Sequence, residues 1–413
     1  QMVIFIERMD QMTLEKELLE RASKLQNEIV DNRRELHRNP ELGMKLPNTV
    51  DFVQKKLLEM GISSSVVGGG VVANIGDPKK GKTILLRGDM DALPIKEETG
   101  LAFASENEAM HACGHDVHTS TLLGAAKLLK GIEGELKGNV KLMFQAGEEV
   151  LTGAKTMIEE GVLEDPKVDS AMMIHVFSGI EAEHGKLLIP REGAASMAPD
   201  QFHIYIKGKG GHGAMPHTAV DPLNIAAQTH LALSELVSRE IKPGEKALCV
   251  IGQMSGGLAA NVIPDTATIS GVIRTMDPKT REFMKNRLVE IAKGTAAVFR
   301  GSAEVEYTIQ CPSVINDKAM RDQAISFGKE LFGEAGVLQL DPYMDDGMLS
   351  GSEDFGFISE RVPSFMAILS MGSPSNGYPF SHHHPKTDFD EDQFFKGAAY
   401  YAYFAKRWLE ENN

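Results

Sequence analysis

Residues 82–91, KTILLRGDMD, form a short apolar run that ends in two carboxylates. Three comparable runs lie in the first half of the chain: VVANIG (71–76), NVKLMFQAGEE (139–149) and SAMMIHV (170–176). A helical pattern at 114–130 follows KTILLRGDMD, and another at 151–161 precedes SAMMIHV. Short buried strands that alternate with helices predict an α/β fold with a mostly parallel sheet.

The ends of these runs carry carboxylate and imidazole side chains. They are Asp89 and Asp91, Glu148 and Glu149, and His175. In parallel α/β sheets, binding sites form beyond the carboxyl ends of the strands. We therefore expect these side chains to meet at one edge of the predicted sheet.

The middle of the chain follows a different pattern. Four predicted strands and two predicted helices follow one another in the order β-α-β-β-α-β. The strands are DQFHIYIKG, ALCVIGQMSGG, DTATISGVIRT and AEVEYTIQ, and the helices are 220–239 and 278–299. That order is typical of a ferredoxin-like unit. The sequence therefore predicts one α/β domain, residues 1–193 and 310–413, interrupted by an α+β insert at 194–309.

Composition narrows the class of protein. The 413 residues carry a formal net charge of −15, so the average surface should repel nucleic acid and anionic membranes. No apolar run reaches the roughly 18 residues that a membrane span needs. The chain has three cysteines, and such a small, odd number is a poor basis for a disulfide framework. It is typical of proteins in a reducing compartment. We expect a cytoplasmic protein that binds a small molecule and neither nucleic acid nor a membrane.

The nonapeptide HACGHDVHT, residues 111–119, allows three interpretations. Cys113 could be a nucleophile with His115 or His118 as its base, although catalytic partners seldom lie so close in sequence. Cys113 could also be a buried core residue, as free cysteines often are. Ligation of a metal ion fits better, because thiolate and imidazole are good donors for zinc-like ions.

Further donors come from distant parts of the chain. Glu148 and Glu149 could be a solvated helix start, where acids are favoured. Beside a metal ion, one could ligate while the other takes a proton from water. His175 follows a strand, and one histidine of SHHHPKTDFDED (381–392) could complete the site. Five donors exceed the four of a closed zinc centre, so two ions with open positions are predicted.

The segment GKGGHGAMPH, residues 208–217, contains the pattern G-x-G-x-x-G. As a dinucleotide-binding signal it is weak, because Pro216 and His217 delay any helix after it. The alternative is that the glycines allow His212 to project from the insert.

Together these segments resemble the branch of the dinuclear zinc-peptidase family that contains aminoacylases, hippurate hydrolases and indole-acetyl-amino-acid hydrolases, with thermostable carboxypeptidases among its relatives. The resemblance rests on segments in the family's order along nearly the whole chain: RRELHRNPELG (33–43), LRGDMDALPI (86–95), MHACGHDVHT (110–119), FQAGEE (144–149), IHV (174–176), GKGGHGAMPH, ANVIPD (260–265) and SHHHPKTDFDED. It implies an α/β catalytic domain with an inserted lid that also dimerises, and hence a homodimer or higher homo-oligomer.

The resemblance also implies the roles of individual residues. The metal ligands would be Cys113, His115, Glu149, His175 and His383, the last because the family's H-x-P spacing fits it. Glu148 would be the general base. His212 and Asn261 would steady the scissile carbonyl oxygen, with His212 able to reach the site of a second subunit. Arg274 would bind the substrate carboxylate, which suits its planar fork.

One departure from the wider family concerns Asp89 and Asp91. These residues stand where relatives have a His-x-Asp pair, so Asp89 is not expected to ligate and Asp91 would act only behind a ligand.

The implied reaction is metal-dependent hydrolysis of the amide bond of an N-acyl-amino acid. The metal would be zinc, with manganese, cobalt and nickel as alternatives. A carboxypeptidase acting on short peptides is the alternative enzyme, because it needs the same machinery. A binding protein on the same fold would be favoured by a missing base or oxyanion donor, and neither is missing here.

Overall fold

The computed structural model of the protein describes residues 13–340 and 351–413. Residues 1–12, at the start of the predicted α/β domain, and residues 341–350 lie outside the described part. The described residues form two compact units. The first contains residues 13–191, 317–340 and 362–413, and the second contains residues 192–316 and 351–361.

Ten helices and sixteen strands are assigned within these residues. The helices are α1 (Leu14–Lys24), α2 (Gln26–Arg38), α3 (Pro47–Glu59), α4 (His115–Gly131), α5 (Gly153–Glu159), α6 (Pro222–Glu235), α7 (Pro278–Val298), α8 (Lys318–Phe332), α9 (Gly356–Ser359) and α10 (Phe394–Glu411). The strands are β1 (Ser64–Val67), β2 (Gly70–Gly76), β3 (Thr83–Asp89), β4 (Asn139–Gln145), β5 (Ser170–Phe177), β6 (Leu187–Ile189), β7 (Gly193–Ala194), β8 (Ala198–Lys207), β9 (Gly211–His212), β10 (Ala247–Gly256), β11 (Val262–Ile263), β12 (Thr266–Thr275), β13 (Ser302–Gln310), β14 (Ile315–Asn316), β15 (Val337–Gln339) and β16 (Ser364–Ser370).

The first unit is organised around an eight-stranded sheet in the order β1-β2-β4-β3-β5-β16-β6-β15. Its centre is parallel, because β4, β3, β5 and β16 all run the same way. This confirms the predicted α/β fold with a mostly parallel sheet. The run VVANIG differs from that expectation, since β2 pairs antiparallel with β4. Only six residues join β2 to β3, too few for the crossover that parallel strands require.

The central strands are apolar along their length because both faces of the sheet are covered. Every residue of β3, β4 and β16 is buried. Helices α4 and α10 pack against each other in this unit. Gly124 of α4 permits the close approach, because a Cβ there would lie 3.0 Å from Cβ of Ala398 and 2.9 Å from Cδ1 of Ile29. The helix that begins at His115 is thereby held firmly on the sheet.

The second unit has the predicted β-α-β-β-α-β order, formed by β8, α6, β10, β12, α7 and β13. Its four strands form an antiparallel sheet in the order β10-β12-β8-β13. Phe202, Ile204 and Ile206 alternate along β8 and belong to the same buried cluster as α6 and α7. One face of the sheet therefore carries the helices, as in a ferredoxin-like unit.

Within residues 13–340 and 351–413, no helix combines the length and the apolar character that a membrane-spanning helix requires.

Candidate metal centre and active site

The parallel strands of the first unit bring their polar ends to one edge of the sheet. Asp89, the last residue of β3, lies opposite Gln145, the last residue of β4. Glu148 and Glu149 follow β4, and His175 lies near the end of β5. The carboxyl ends of the three strands therefore supply side chains to a single site, as the sequence predicts.

Four donor groups overlap at this edge, one of which is Asp89, His115 and His118; the other three contain the predicted ligands and base. In each group, one ligand atom per residue lies within 4.8 Å of the others; these three groups are Cys113, His115 and His175; Cys113, Glu149 and His383; and His115, Glu148 and Glu149. Cys113 belongs to the first two of these three groups. The structure thus brings together all five predicted ligands and the predicted base, and the overlap is what two neighbouring ions would need.

The distances within these groups are those expected of donors that surround a metal ion. Sγ of Cys113 lies 3.8 Å from Nε2 of His175, and Nε2 of His383 lies 3.6 Å from Oε1 of Glu149. Nε2 of His115 lies 3.8 Å from the same Glu149 oxygen. Donors that bind one ion at about 2.0–2.3 Å have separations of this order.

Unpaired buried atoms support the same conclusion. Both ring nitrogens of His115 and Oε1 of Glu149 are buried without a hydrogen-bond partner in the described structure. Buried polar atoms are normally paired, because leaving them unpaired is costly. A divalent ion would satisfy one ring nitrogen of His115 and the Glu149 oxygen, and the thiolate, imidazole and carboxylate set is one that zinc-like ions accept.

The turn that presents Cys113 and His115 depends on Gly114. Its φ is +87°, in the left-handed region that favours glycine. A Cβ at this position would lie 2.6 Å from Cγ2 of Val176 and 2.9 Å from Cζ of Phe389. The turn is therefore held against the end of β5 and against the segment that follows His383.

Asp91 lies behind the predicted ligands, as expected, and fixes the backbone of Glu148 and Glu149. Its Oδ1 accepts the backbone N–H of Glu148 and its Oδ2 accepts that of Glu149, both at 3.0 Å. The same carboxylate lies 3.5 Å from Nδ1 of His115. One buried side chain thus orients the predicted base and two predicted ligands.

His175 is oriented towards the predicted ions by its own backbone. Its Nδ1 donates to the carbonyl oxygen of Val176 at 2.7 Å, so Nε2 is the nitrogen left to face Cys113.

Asp89 and His118 form a pair that the sequence did not reveal. Nδ1 of His118 donates to Oδ1 of Asp89 at 2.5 Å, and Nε2 accepts the backbone N–H of Val176 at 2.9 Å. The other Asp89 oxygen accepts from Arg87 at 2.6 Å. The described hydrogen bonds thus engage both ring nitrogens of His118 and both oxygens of Asp89.

The thiol of Cys113 is not activated as a nucleophile in the absence of a metal ion. Burial and the nearby carboxylate of Glu149 raise its pKa well above the ordinary value. Burial also raises the pKa of Glu149, to about 7. A bound ion would displace both protons, because metal ligands bind in their deprotonated forms.

The three consecutive histidines have different surroundings. His383 donates its backbone N–H to the carbonyl of Ala112 at 2.9 Å, which ties its segment to the Cys113 turn. His384 stacks on Phe380 at a ring distance of 4.3 Å, away from this donor group. Nδ1 of His382 lies 4.0 Å from Sγ of Cys113. The spacing of the three histidines in the sequence could not show that this one also lies near the cysteine.

The second unit brings His212 and Asn261 together. His212 in β9 pairs with Val262 in β11, and the N–H of Gly213 donates to the carbonyl of Asn261 at 2.9 Å. A Cβ at Gly213 would lie 2.8 Å from that carbonyl oxygen and would collide with it. This position of the motif is therefore occupied by glycine. His212 is exposed, and its Nδ1 accepts the N–H of Ala214 at 3.0 Å.

Arg274 lies elsewhere in the second unit. It pairs with Pro199 near the far end of β12, on the face opposite the buried Ile273. Eight residues separate it from Thr266, the start of β12, which corresponds to roughly 26 Å of strand.

Known proteins match the chain over nearly its whole length. The model of peptidase family M20/M25/M40 matches residues 85–407. The N-acetyl-L-cysteine deacetylase of Bacillus subtilis is 36% identical, over 94% of this chain and 90% of that protein. An IAA-amino acid hydrolase of Arabidopsis thaliana, ILR1-like 2, is 37% identical over 93% of this chain and 85% of that protein.

Two further comparisons concern peptidases. Thermostable carboxypeptidase 1 of Saccharolobus solfataricus is 33% identical, over 96% of this chain and 99% of that protein. The crystal structure of a dinuclear metal-binding M20 peptidase from Bacillus subtilis superposes with a TM-score of 0.79 at 31% identity, covering 94% of this chain and 99% of that one. These similarities confirm the predicted resemblance and the prediction of a hydrolytic enzyme.

Proposed function

Since the chain belongs to peptidase family M20/M25/M40, we propose that it hydrolyses the amide bond of N-acyl-amino acids at a centre of two divalent ions. The ions would be held by Cys113, His115, Glu149, His175 and His383. The observation that carries this proposal is the sharing of Cys113 between two donor groups. Two ions next to each other need such a shared or closely adjacent ligand.

We propose zinc as the metal, because one thiolate, three imidazoles and one carboxylate form a donor set that zinc accepts. Manganese, cobalt and nickel bind the same types of donor, and availability decides among them. When bound, the ions lower the pKa of a water molecule towards about 7 and polarise the substrate carbonyl.

Glu148 is the general base in this proposal. It takes the proton of the attacking water and delivers a proton to the departing amine, as a positioned carboxylate can. It is buried, and its Oε2 lies 3.8 Å from Nε2 of His115, so it lies within reach of the ligands. The hydrogen bond from its N–H to Asp91 keeps it in this position.

His212 and Asn261 stabilise the negative charge that develops on the carbonyl oxygen. Because Nδ1 of His212 accepts a backbone N–H, the neutral ring carries its proton on Nε2. That N–H is available to donate to the substrate. Each well-placed donor of this kind contributes on the order of 3 kcal/mol to transition-state stabilisation.

Arg274 binds the α-carboxylate of the substrate, and its position favours a homodimer. It lies roughly 26 Å along β12 from Thr266, and the segment that leads to His212 is hydrogen-bonded at that end of the strand, through Gly208 and Gly210 to Asp265. No small substrate spans that distance. This separation supports an active site that combines His212 of one protomer with Arg274 of another.

An N-acyl-amino acid is preferred over a peptide as the substrate because two of the relatives named above act on such compounds. A carboxypeptidase that cleaves short peptides is the second candidate, supported by the carboxypeptidase relative. Both need the same base and ligands. They differ only in what contacts the acyl side of the scissile bond.

A substrate panel tests the proposal. Protein reconstituted with zinc, manganese or cobalt should hydrolyse N-acetyl- and N-benzoyl-amino acids faster than dipeptides, with Glu148→Gln as the inactive control. Faster cleavage of dipeptides would favour the carboxypeptidase. Absence of hydrolysis of every substrate with each metal would overturn the enzymatic proposal in favour of a binding protein.

A further inference from the structure

The motif RRELHRNPELG contributes a buried cation that none of the roles above uses. Arg33 of α2 is completely buried. Its Nε donates to Oδ2 of Asp116 at 2.8 Å, and its Nη1 donates to Oε1 of Glu391 at 3.1 Å. Its Nη2 lies 3.6 Å from Oδ1 of Asp388. One guanidinium thus faces three carboxylates that come from two separate segments of the chain.

His37, one turn further along α2, faces the same carboxylate. Its Nδ1 lies 2.7 Å from Oδ2 of Asp116 and its Nε2 lies 3.2 Å from Oε2 of Glu97. Carboxylates only accept, so both ring nitrogens donate. The ring also packs edge-on against Phe103, with the centroids 5.6 Å apart. His37 is therefore held in one orientation with Asp116 as a hydrogen-bonding partner.

The carboxylates in this network adjoin the proposed ligands. Asp116 directly follows His115 in the first turn of α4, and its Oδ1 also accepts the N–H of Val117 at 3.0 Å. Asp388 and Glu391 follow His383 in the segment whose Phe389 contacts the Gly114 turn. Arg33 consequently connects the two parts of the chain that supply Cys113, His115 and His383.

We propose that Arg33 and His37 are positioning residues for the metal centre: from α2 they hold the Cys113–His115 turn and the His383 segment at the spacing that two ions require. This inference rests on the proposed function. Stability is a poor alternative explanation, because a buried ion pair gains little over apolar residues of the same size once its desolvation is counted. Orientation of ligands by groups behind them, in contrast, commonly changes metal affinity by 10- to 100-fold.

Cobalt(II) provides the test, because its absorption reports thiolate ligation and coordination geometry. The full-length wild type, His37→Gln, Arg33→Met and Ile29→Ala would be titrated with Co(II) against a competing chelator, and the Tm of each metal-free protein measured. Ile29 is the matched control, since it is buried on the same helix and contacts α4 at Gly124, more than two turns beyond His115.

We expect His37→Gln and Arg33→Met to weaken Co(II) binding by about 10-fold or more and to shift its absorption bands. Ile29→Ala should lower Tm and leave affinity and spectrum unchanged. Should Arg33→Met fail to fold, the milder His37→Gln decides the question. Wild-type affinity and spectrum in His37→Gln, with only Tm lowered, would overturn the inference. A wild type that binds no Co(II) would instead overturn the proposed function.

Discussion

Nε2 of His383 lies 3.6 Å from Oε1 of Glu149, although Glu149 precedes the second unit in the sequence and His383 follows it. No hydrogen bond joins them, and the Glu149 oxygen has no partner among the described residues. An ion between the two side chains accounts for both observations.

Replacement of Glu148 by Gln should strongly lower turnover and spare metal binding. The amide keeps the size of the side chain but cannot take a proton, and general base catalysis contributes about 10²- to 10⁴-fold. We expect kcat to fall within that range while metal content, measured by elemental analysis, stays at the wild-type value. Glu59→Gln, on the exposed side of α3, is the control and should behave as wild type. Retained activity in Glu148→Gln would mean that another group is the base.

Cys113→Ala should lose at least one ion per subunit, because Cys113 belongs to two donor groups. Metal content after gel filtration is the measurement. Cys249→Ala provides the comparison, since Cys249 is a half-buried cysteine of the second unit and should have no effect on metal content. If Cys113→Ala keeps the full wild-type metal content, Cys113 is not a ligand, and the interpretations as a nucleophile or a core residue are favoured instead.

Among the consecutive histidines, His383→Ala should weaken metal binding far more than His384→Ala. His384 stacks on Phe380, and its Nδ1 accepts the N–H of Lys386 at 3.1 Å, so its ring is engaged elsewhere. Calorimetric titration of both variants with Zn(II) provides the comparison. A larger loss in His384→Ala would show that the ligand has been assigned to the wrong position.

His212→Ala should lower kcat by about 10²-fold, since one oxyanion donor contributes on the order of 3 kcal/mol. Metal content should not change, and the exposed neighbour His217→Ala should retain activity.

If sites combine residues of two protomers, mixing inactive His212→Ala with inactive Arg274→Met should restore activity. Random exchange between symmetric dimers would give about a quarter of the wild-type rate, because half of the dimers would contain one intact site. No recovery after demonstrated subunit exchange would place His212 and Arg274 in the same subunit's site or remove Arg274 from it.

The sequence was sufficient for the fold class and for the identity of most candidate side chains. Continuous apolar runs such as TILLRGD predict central parallel strands, because such strands are buried on both faces. The polar residues that follow those runs then mark the edge where a site forms. The antiparallel pairing of β2 depends on a connection too short for a crossover, a feature that periodicity does not reveal.

What only the tertiary structure decided is how these side chains are arranged around one another. Sequence alone could not show that Cys113 belongs to two donor groups, that Asp91 accepts from both glutamates, or that Arg33 reaches carboxylates on two distant segments. The physical reason is that burial and strand periodicity are encoded within a few neighbouring residues. The distance between two side chains far apart in the chain is set instead by the packing of every helix and strand between them.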